Sequence, residues 1–136
     1  MQVVSFLFVG EVETREVSAS GDGGASAHTI RGVLGSISAP QPPEPYNVNL
    51  VLEIEGRPVD AGRTFAVAIR VVDPMGRSAD SDATNVTMPD GTGGGLPLVV
   101  VAKSFALPLL AAGPHRFIVL ADRRPVGERT FSIVYQ

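Results

Sequence analysis

Apolar and polar residues alternate with a period of two along much of this chain. From Thr64 to Val72, Phe65, Val67, Ile69 and Val71 fall on one side and Ala66, Ala68 and Arg70 on the other. Val48, Leu50, Leu52 and Ile54 alternate in the same way with Asn47, Asn49, Glu53 and Glu55, and Phe131, Ile133 and Tyr135 with Thr130 and Ser132. That period marks strands with one face on a core and one in water. No stretch of helical length carries an uninterrupted apolar stripe at 3.6 spacing, because Gly, Pro and β-branched residues are spread too evenly.

Turn chemistry separates these runs. Gly21-Asp22-Gly23-Gly24 follows the first, Ala39-Pro40-Gln41-Pro42-Pro43-Glu44-Pro45 the second, and Asp73-Pro74-Met75-Gly76 the fourth, with the proline and glycine placed as a type I turn prefers. Pro89-Asp90-Gly91 with Gly93-Gly94-Gly95, Ala111 to Pro114, and Asp122-Arg123-Arg124-Pro125 supply further breaks. The pattern predicts eight strands, at 2–9, 28–38, 47–55, 64–72, 83–88, 97–107, 115–121 and 127–135. Many short strands with turns between them indicate an all-β fold. Irregular loop lengths favour crossovers between sheets, hence a single-domain antiparallel β-sandwich over residues 1–136, immunoglobulin-like in general architecture. The proline-rich stretch reads as a stiff crossover.

Three of these strands break the alternation. Val3 to Val9, Leu96 to Ala102 and Phe117 to Ala121 are apolar on both faces. Strands of that kind need cover on the outer face, from a loop or from another copy of the chain. The longest loops are glycine-rich and offer little, so the expectation is a homo-oligomer.

Composition narrows the function classes. With 136 residues the chain can bury a core unaided. It has no Cys, which excludes disulfides, thiolate metal sites and cysteine nucleophiles. A net charge of −3 from 11 basic and 14 acidic residues, with the charge scattered, opposes a nucleic-acid footprint. Only Lys103 among the basic residues is lysine, an arginine bias that reflects a GC-rich coding sequence before it reflects function. The apolar run at 3–9 lacks a basic flank, is followed by Glu11 and Glu13, and is too short to span a membrane, so a cytoplasmic protein without a membrane partner is expected.

The segment Ile30-Arg31-Gly32-Val33-Leu34-Gly35-Ser36-Ile37-Ser38-Ala39-Pro40 resembles a pattern in a broad bacterial family of short uncharacterised proteins, where an early glycine-bearing strand leaves through Ile-x-Ala-Pro. Arg70-Val71-Val72-Asp73-Pro74-Met75-Gly76-Arg77 is similar to that family's strand-ending turn. Leu107-Pro108 to Gly113, then His115-Arg116-Phe117 and Asp122, resembles its penultimate strand and hairpin. Where the family tends to carry a second glycine and an acidic residue, this chain has Arg31 and Gly35. The resemblance implies a β-sandwich and supplies neither an activity nor site residues.

Candidate chemistry is sparse. His28 and His115, each opening a strand, are the possible general bases, and both read as strand-edge polar residues. Gly35-Ser36-Ile37-Ser38-Ala39 lacks the closing glycine of a nucleophile elbow, and Gly91-Thr92-Gly93-Gly94-Gly95 lacks the Lys-Ser/Thr of a phosphate loop. Alternating loop ends would bring Asp22, Asp60, Asp90 and Asp122 together with Arg57, Arg63, Arg123 and Arg124. Asp73, Asp80 and Asp82 would share the other end with the proline-rich loop. Asp80-Ser81-Asp82-Ala83-Thr84-Asn85 has a passable calcium-ligand spacing, without the glycine turn or the closing glutamate. A mixed Asp/Arg end is more simply a solvated rim. Asn85-Val86-Thr87 is a formal glycosylation sequon, expected inside a strand.

Together these readings predict no catalytic residue, no metal site and no cofactor. The expected role is a non-catalytic structural or interaction module acting on itself or on another protein, in a cell or in a phage-derived particle. A small-ligand or carbohydrate binder is the alternative, for which Tyr46 is the one stacking platform, Tyr135 being the only other Tyr in a chain without Trp. An enzyme would need His28 or His115 with Asp73 or Asp122.

Overall fold

A computed structural model describes residues 1–19, 22–35, 37–39, 46–90, 95–107 and 111–135, with only the backbone of 12, 14–19, 22–33, 38, 39, 46 and 135. These residues form two facing sheets. The first has the order β2-β1-β4-β8, from β1 (Gln2–Ala19), β2 (Asp22–Val33), β4 (Tyr46–Glu55) and β8 (Leu98–Leu107). The second has the order β3-β10-β9-β5-β6, from β3 (Ile37–Ala39), β5 (Thr64–Val72), β6 (Ser78–Asp80), β9 (Gly113–Ala121) and β10 (Arg124–Tyr135). In it β7 (Thr84–Thr87) also pairs with β5. All pairings are antiparallel except β3 with β10. The expected β-sandwich is therefore present, and each of the eight expected strands has a counterpart of four residues or more. Among the described residues no helix is long and apolar enough to cross a membrane.

The alternation read from the sequence sets the core. Phe65, Val67, Ile69 and Val71 of β5 face Val48, Leu50, Leu52 and Ile54 of β4, all buried. Phe8 of β1 stacks on Phe131 of β10 at a centroid distance of 4.0 Å and meets Phe117 of β9 edge-on at 4.8 Å, so aromatic rings join the two sheets. Arg129 lies over Phe8 and Phe131 and donates to the Phe6 carbonyl, fastening β10 to β1.

Three expectations need correction. The first strand does not end at Val9: β1 continues to Ala19 and β2 begins at Asp22, so Gly23 and Gly24 lie in a strand and His28 sits mid-strand opposite Thr14. Beyond Val9, β1 pairs with β2 alone among the described residues, and residues 10–19 show no sustained apolar alternation in sequence. Secondly, the strand expected at 28–38 is two segments. β2 stops at Val33, and β3, which runs parallel to β10, heads back the opposite way in the other sheet. Thirdly, a 3-10 turn, Pro58–Asp60, follows β4. The Asp73–Gly76 turn is as expected, with the Gly76 N–H on the Asp73 carbonyl at 3.0 Å and φ of 83° at Gly76. Asn85 lies inside β7, as expected of the sequon. Ser36, the proline-rich segment 40–45 and most of the glycine loop, 91–94, lie outside the described residues.

Candidate functional site: an arginine-lined cleft

The reversal at β3 decides which loops share an end. β4, β7 and β9 all run toward the end where β1 starts, since Gln2 pairs with Glu55 and Thr64 with Thr87. The loops after them carry Asp60, Asp90 and Asp122, and these do share one end: Asp90 Oδ1 lies 3.6 Å from where a Cβ on Gly62 would be. Asp22 does not join them. It follows Ala19 at the far end of β1, because the chain reverses once more between Val33 and Tyr46 than the sequence suggested.

At this end lies an open cleft of about 540 Å³, lined by Met1, Arg57, Asp60, Arg63, Phe65, Ala121, Asp122, Arg124, Pro125 and Val126. Asp60 organises one wall. It closes the 3-10 turn, its N–H on the Arg57 carbonyl at 2.9 Å. Its Oδ2 accepts from the Arg57 backbone N–H at 2.8 Å and from Arg57 Nε at 3.3 Å, while Oδ1 accepts from Arg63 Nη1 at 3.1 Å. The carboxylate is 1% exposed, whereas the Arg57 and Arg63 side chains are 67% and 55% exposed. The Arg57 N–H, joined by the Arg57 guanidinium, holds the Asp60 carboxyl below the usual carboxylate range. The sequence carries a usable signal here: Arg57 and Arg63 stand three residues either side of Asp60, close enough for one turn to aim both at it.

The opposite wall is the β9–β10 turn. Asp122 and Arg123 both adopt left-handed backbone, with φ of 48° and 69°, as a two-residue hairpin turn demands. Asp122 is held there by Ala66 of β5, to whose carbonyl it donates at 2.9 Å and whose N–H its Oδ1 accepts at 2.9 Å. Arg124 follows directly, exposed and without an ion-pair partner among the described residues.

The other candidates lie elsewhere. His115 is not at a strand edge: it is fully buried in β9, Nδ1 donating to the Gly113 carbonyl at 2.9 Å and Nε2 without a partner. Asp73 caps its own turn, accepting from the N–H groups of Met75 and Arg77 and from Arg77 Nε. Burial pushes its carboxyl up, but those bonds prevail and leave it lowered. The Asp80-to-Asn85 stretch does not converge as a calcium loop: both Asp80 oxygens accept from Arg70, at 2.8 and 3.0 Å, and the Asp82 carbonyl accepts from Lys103. Among the described residues no three His, Asp or Glu side chains converge as a metal site. Tyr46 opens β4 and Tyr135 ends β10, both with side chains outside the described set. Sequence reasoning missed Lys103 altogether. It lies inward from β8, 7% exposed, with Nζ on the Thr84 hydroxyl at 2.8 Å and the Val67 carbonyl at 3.4 Å.

Scans against protein-family models and against curated proteins found no match. Among solved structures the chain is similar to an immunoglobulin-like protein from Pseudomonas aeruginosa, at 19% identity over 96% of this chain and 97% of that one, with a TM-score of 0.34. The class that the two sheets themselves define is a β-sandwich, antiparallel but for the pairing of β3 with β10.

Proposed function

We propose that this protein is a non-catalytic interaction module that associates with a second copy of itself through the edge of β8. The observation that carries the reading is the state of that edge. Strand β8 closes one side of its sheet, is ten residues long, contains no proline, and has no partner on its outer edge among the described residues. Leu98 and Val100 on its outer face are 43% and 40% exposed, with Leu96 exposed just before them. Its one charge, Lys103, is turned inward. Natural edges are usually shortened, bulged or guarded by a charge, even an inward-pointing one such as Lys103. Apart from that one charge this edge is long, apolar on its outer face and unpaired among the described residues, a template for another strand.

The three strands apolar on both faces do not contribute equally. On β9, Ile118 stands in register between Arg70 and Glu128, and Leu120 between Ala68 and Pro125, so neighbouring strands cover it. On the other sheet Leu7, Val51 and Ala102 form one row, and Val9 and Val51 are already buried. Of the three strands, β8 thus presents a row of exposed apolar side chains, whereas β1 has only Val4 exposed among its described large apolar residues. A two-fold axis at Val100 would set Val100 against the partner's Val100 and Leu98 against the partner's Ala102, joining two four-stranded sheets into one.

Sedimentation equilibrium tests the reading. A dimer is expected at micromolar concentration. Val100→Lys, at an exposed position, should give a monomer, and Val100→Cys should give a disulfide-linked dimer on oxidation. A native chain that stays strictly monomeric at high micromolar concentration overturns it.

A further inference from the structure

The cleft between the 3-10 turn and the β9–β10 hairpin has no residue of β8 in its lining and has a use of its own. We infer that it binds a carboxylate carried on an apolar body, recognised by Arg57, Arg63 and Arg124. This does not rest on self-association.

The charge arrangement is the first support. Three guanidinium groups and two carboxylates line the cleft, a net charge of +1 (3 − 2). Asp60 is satisfied from the protein side by Arg57 and Arg63, and one oxygen of Asp122 by the Ala66 N–H. Asp60 is sealed beneath its two arginines, so on that wall guanidinium faces solvent, while Asp122 is exposed on the opposite wall. Each guanidinium has five N–H donors, and Asp60 takes one from each. The rest are open for a second acceptor.

Pre-organisation is the second. A lone surface arginine loses rotamer freedom on binding an anion, whereas Arg57 and Arg63 are held by one buried carboxylate before any ligand arrives. On the facing wall the chain tolerates two consecutive non-glycine residues in left-handed backbone, and this turn sets Arg124 and Pro125 at the rim. Such strain gathers at binding sites, where surrounding structure enforces it.

The third is shape. Phe65 and Ala121 lie at the base, both almost fully buried, Val126, Pro125 and Met1 add apolar surface beside the arginines, and the volume falls in the range of small-molecule sites. A planar carboxylate matches the guanidinium fork with two parallel hydrogen bonds. The apolar side chains of Val126, Pro125 and Met1 favour a carboxylate that carries a hydrophobic body over bare phosphate.

Benzoate serves as the probe, with benzyl alcohol and inorganic phosphate as controls, followed by amide chemical shifts of the full chain. Saturable shifts at millimolar benzoate are expected for Arg57, Asp60, Arg63 and residues 121–126. Arg124→Gln should weaken binding about tenfold without moving the melting temperature, and added salt should weaken it as well. Absence of saturable shifts at these amides, equal binding of benzyl alcohol, or undiminished binding by Arg124→Gln overturns the inference. Tighter binding of phosphate than of benzoate overturns the carboxylate assignment.

Discussion

Gly127 of β10 and Val3 of β1 meet closely across the two sheets: a Cβ on residue 127 would lie 2.7 Å from the Cβ of Val3 and 2.9 Å from its Cγ2. Each strand is irregular at that point, with register shifts between Pro125 and Gly127 and between Val3 and Ser5. Bulges bend a strand and increase its twist, and here two face each other across the sandwich. Gly127→Ala is therefore expected to cost about 1–3 kcal/mol by overpacking. Val3→Ala should not relieve it, because the offending Cβ stays; Val3→Gly should. A double-mutant cycle by urea unfolding reads the coupling, and additive effects would refute the close approach.

Three aspartates make stability depend on acid. Asp60 is held low by the Arg57 N–H and guanidinium, Asp80 by the Arg70 guanidinium, and Asp73 by Arg77 and Met75 against the opposing effect of burial. Each binds its proton less readily folded than unfolded. Their contribution is present above the unfolded-state pKa of about 3.9 and is lost as pH falls through the lower folded values. The urea midpoint should thus change little for this reason between neutrality and about pH 5, then drop below about pH 4. Asp60→Asn should start lower at neutral pH and fall less steeply in acid. Parallel curves for the two proteins would rule out Asp60. Glu128→Gln, which breaks an exposed pair with Arg116, should change stability by less than about 1 kcal/mol.

What the sequence conveyed followed burial. Strand β5 was legible residue by residue because one of its faces meets the core and the other meets water. The arm of β1 and β2 was not, since its pairing is a matter of backbone hydrogen bonds and leaves no apolar period. His115 was misplaced because a polar residue in a core looks, in sequence, like one at a strand edge. For the cleft, counting strand reversals placed Asp60, Asp90 and Asp122 correctly, the strands from β4 onward having been read in the right order. It failed for Asp22, where one apparent strand conceals the reversal after Val33. How closely Asp60 would bind both arginines depends on the 3-10 turn, three residues without a periodic signal of their own.

The turn at Asp122 and Arg123 leads to a stabilising substitution. Asp122 has a partner for its strained backbone in Ala66, but no hydrogen bond among the described residues holds Arg123, whose φ of 69° costs an L-residue about 1 kcal/mol. Arg123→Gly should raise stability by about 0.5–1 kcal/mol, the glycine preferring this turn position more than it loses in unfolded-chain entropy. Asp122→Ala should do the reverse, leaving the Ala66 N–H without its acceptor. Thermal unfolding checks both, and a destabilised Arg123→Gly would show that the guanidinium holds the turn.

Lys103 joins the two sheets at the β8 side. From β8 its ammonium reaches the Val67 carbonyl of β5, the Asp82 carbonyl and the Thr84 hydroxyl, all oxygens without formal charge. Burial lowers its pKa, with Asp82 opposing the shift. Below the folded pKa the lysine is charged in both states and the burial penalty is carried in full. Between the folded and the higher unfolded value, the unfolded chain holds more protons, so this group makes stability rise with pH. Lys103→Met keeps the length of the side chain but strips three acceptors of their donor, and is expected to cost about 1–3 kcal/mol at neutral pH. It should also abolish the part of the rise that belongs to this lysine, which lies on the alkaline side below about pH 10. Urea midpoints of the two proteins across that range test both effects. Equal stability at neutral pH would mean that the oxygens gain nothing from the ammonium, and identical slopes would mean that Lys103 titrates as it does in water.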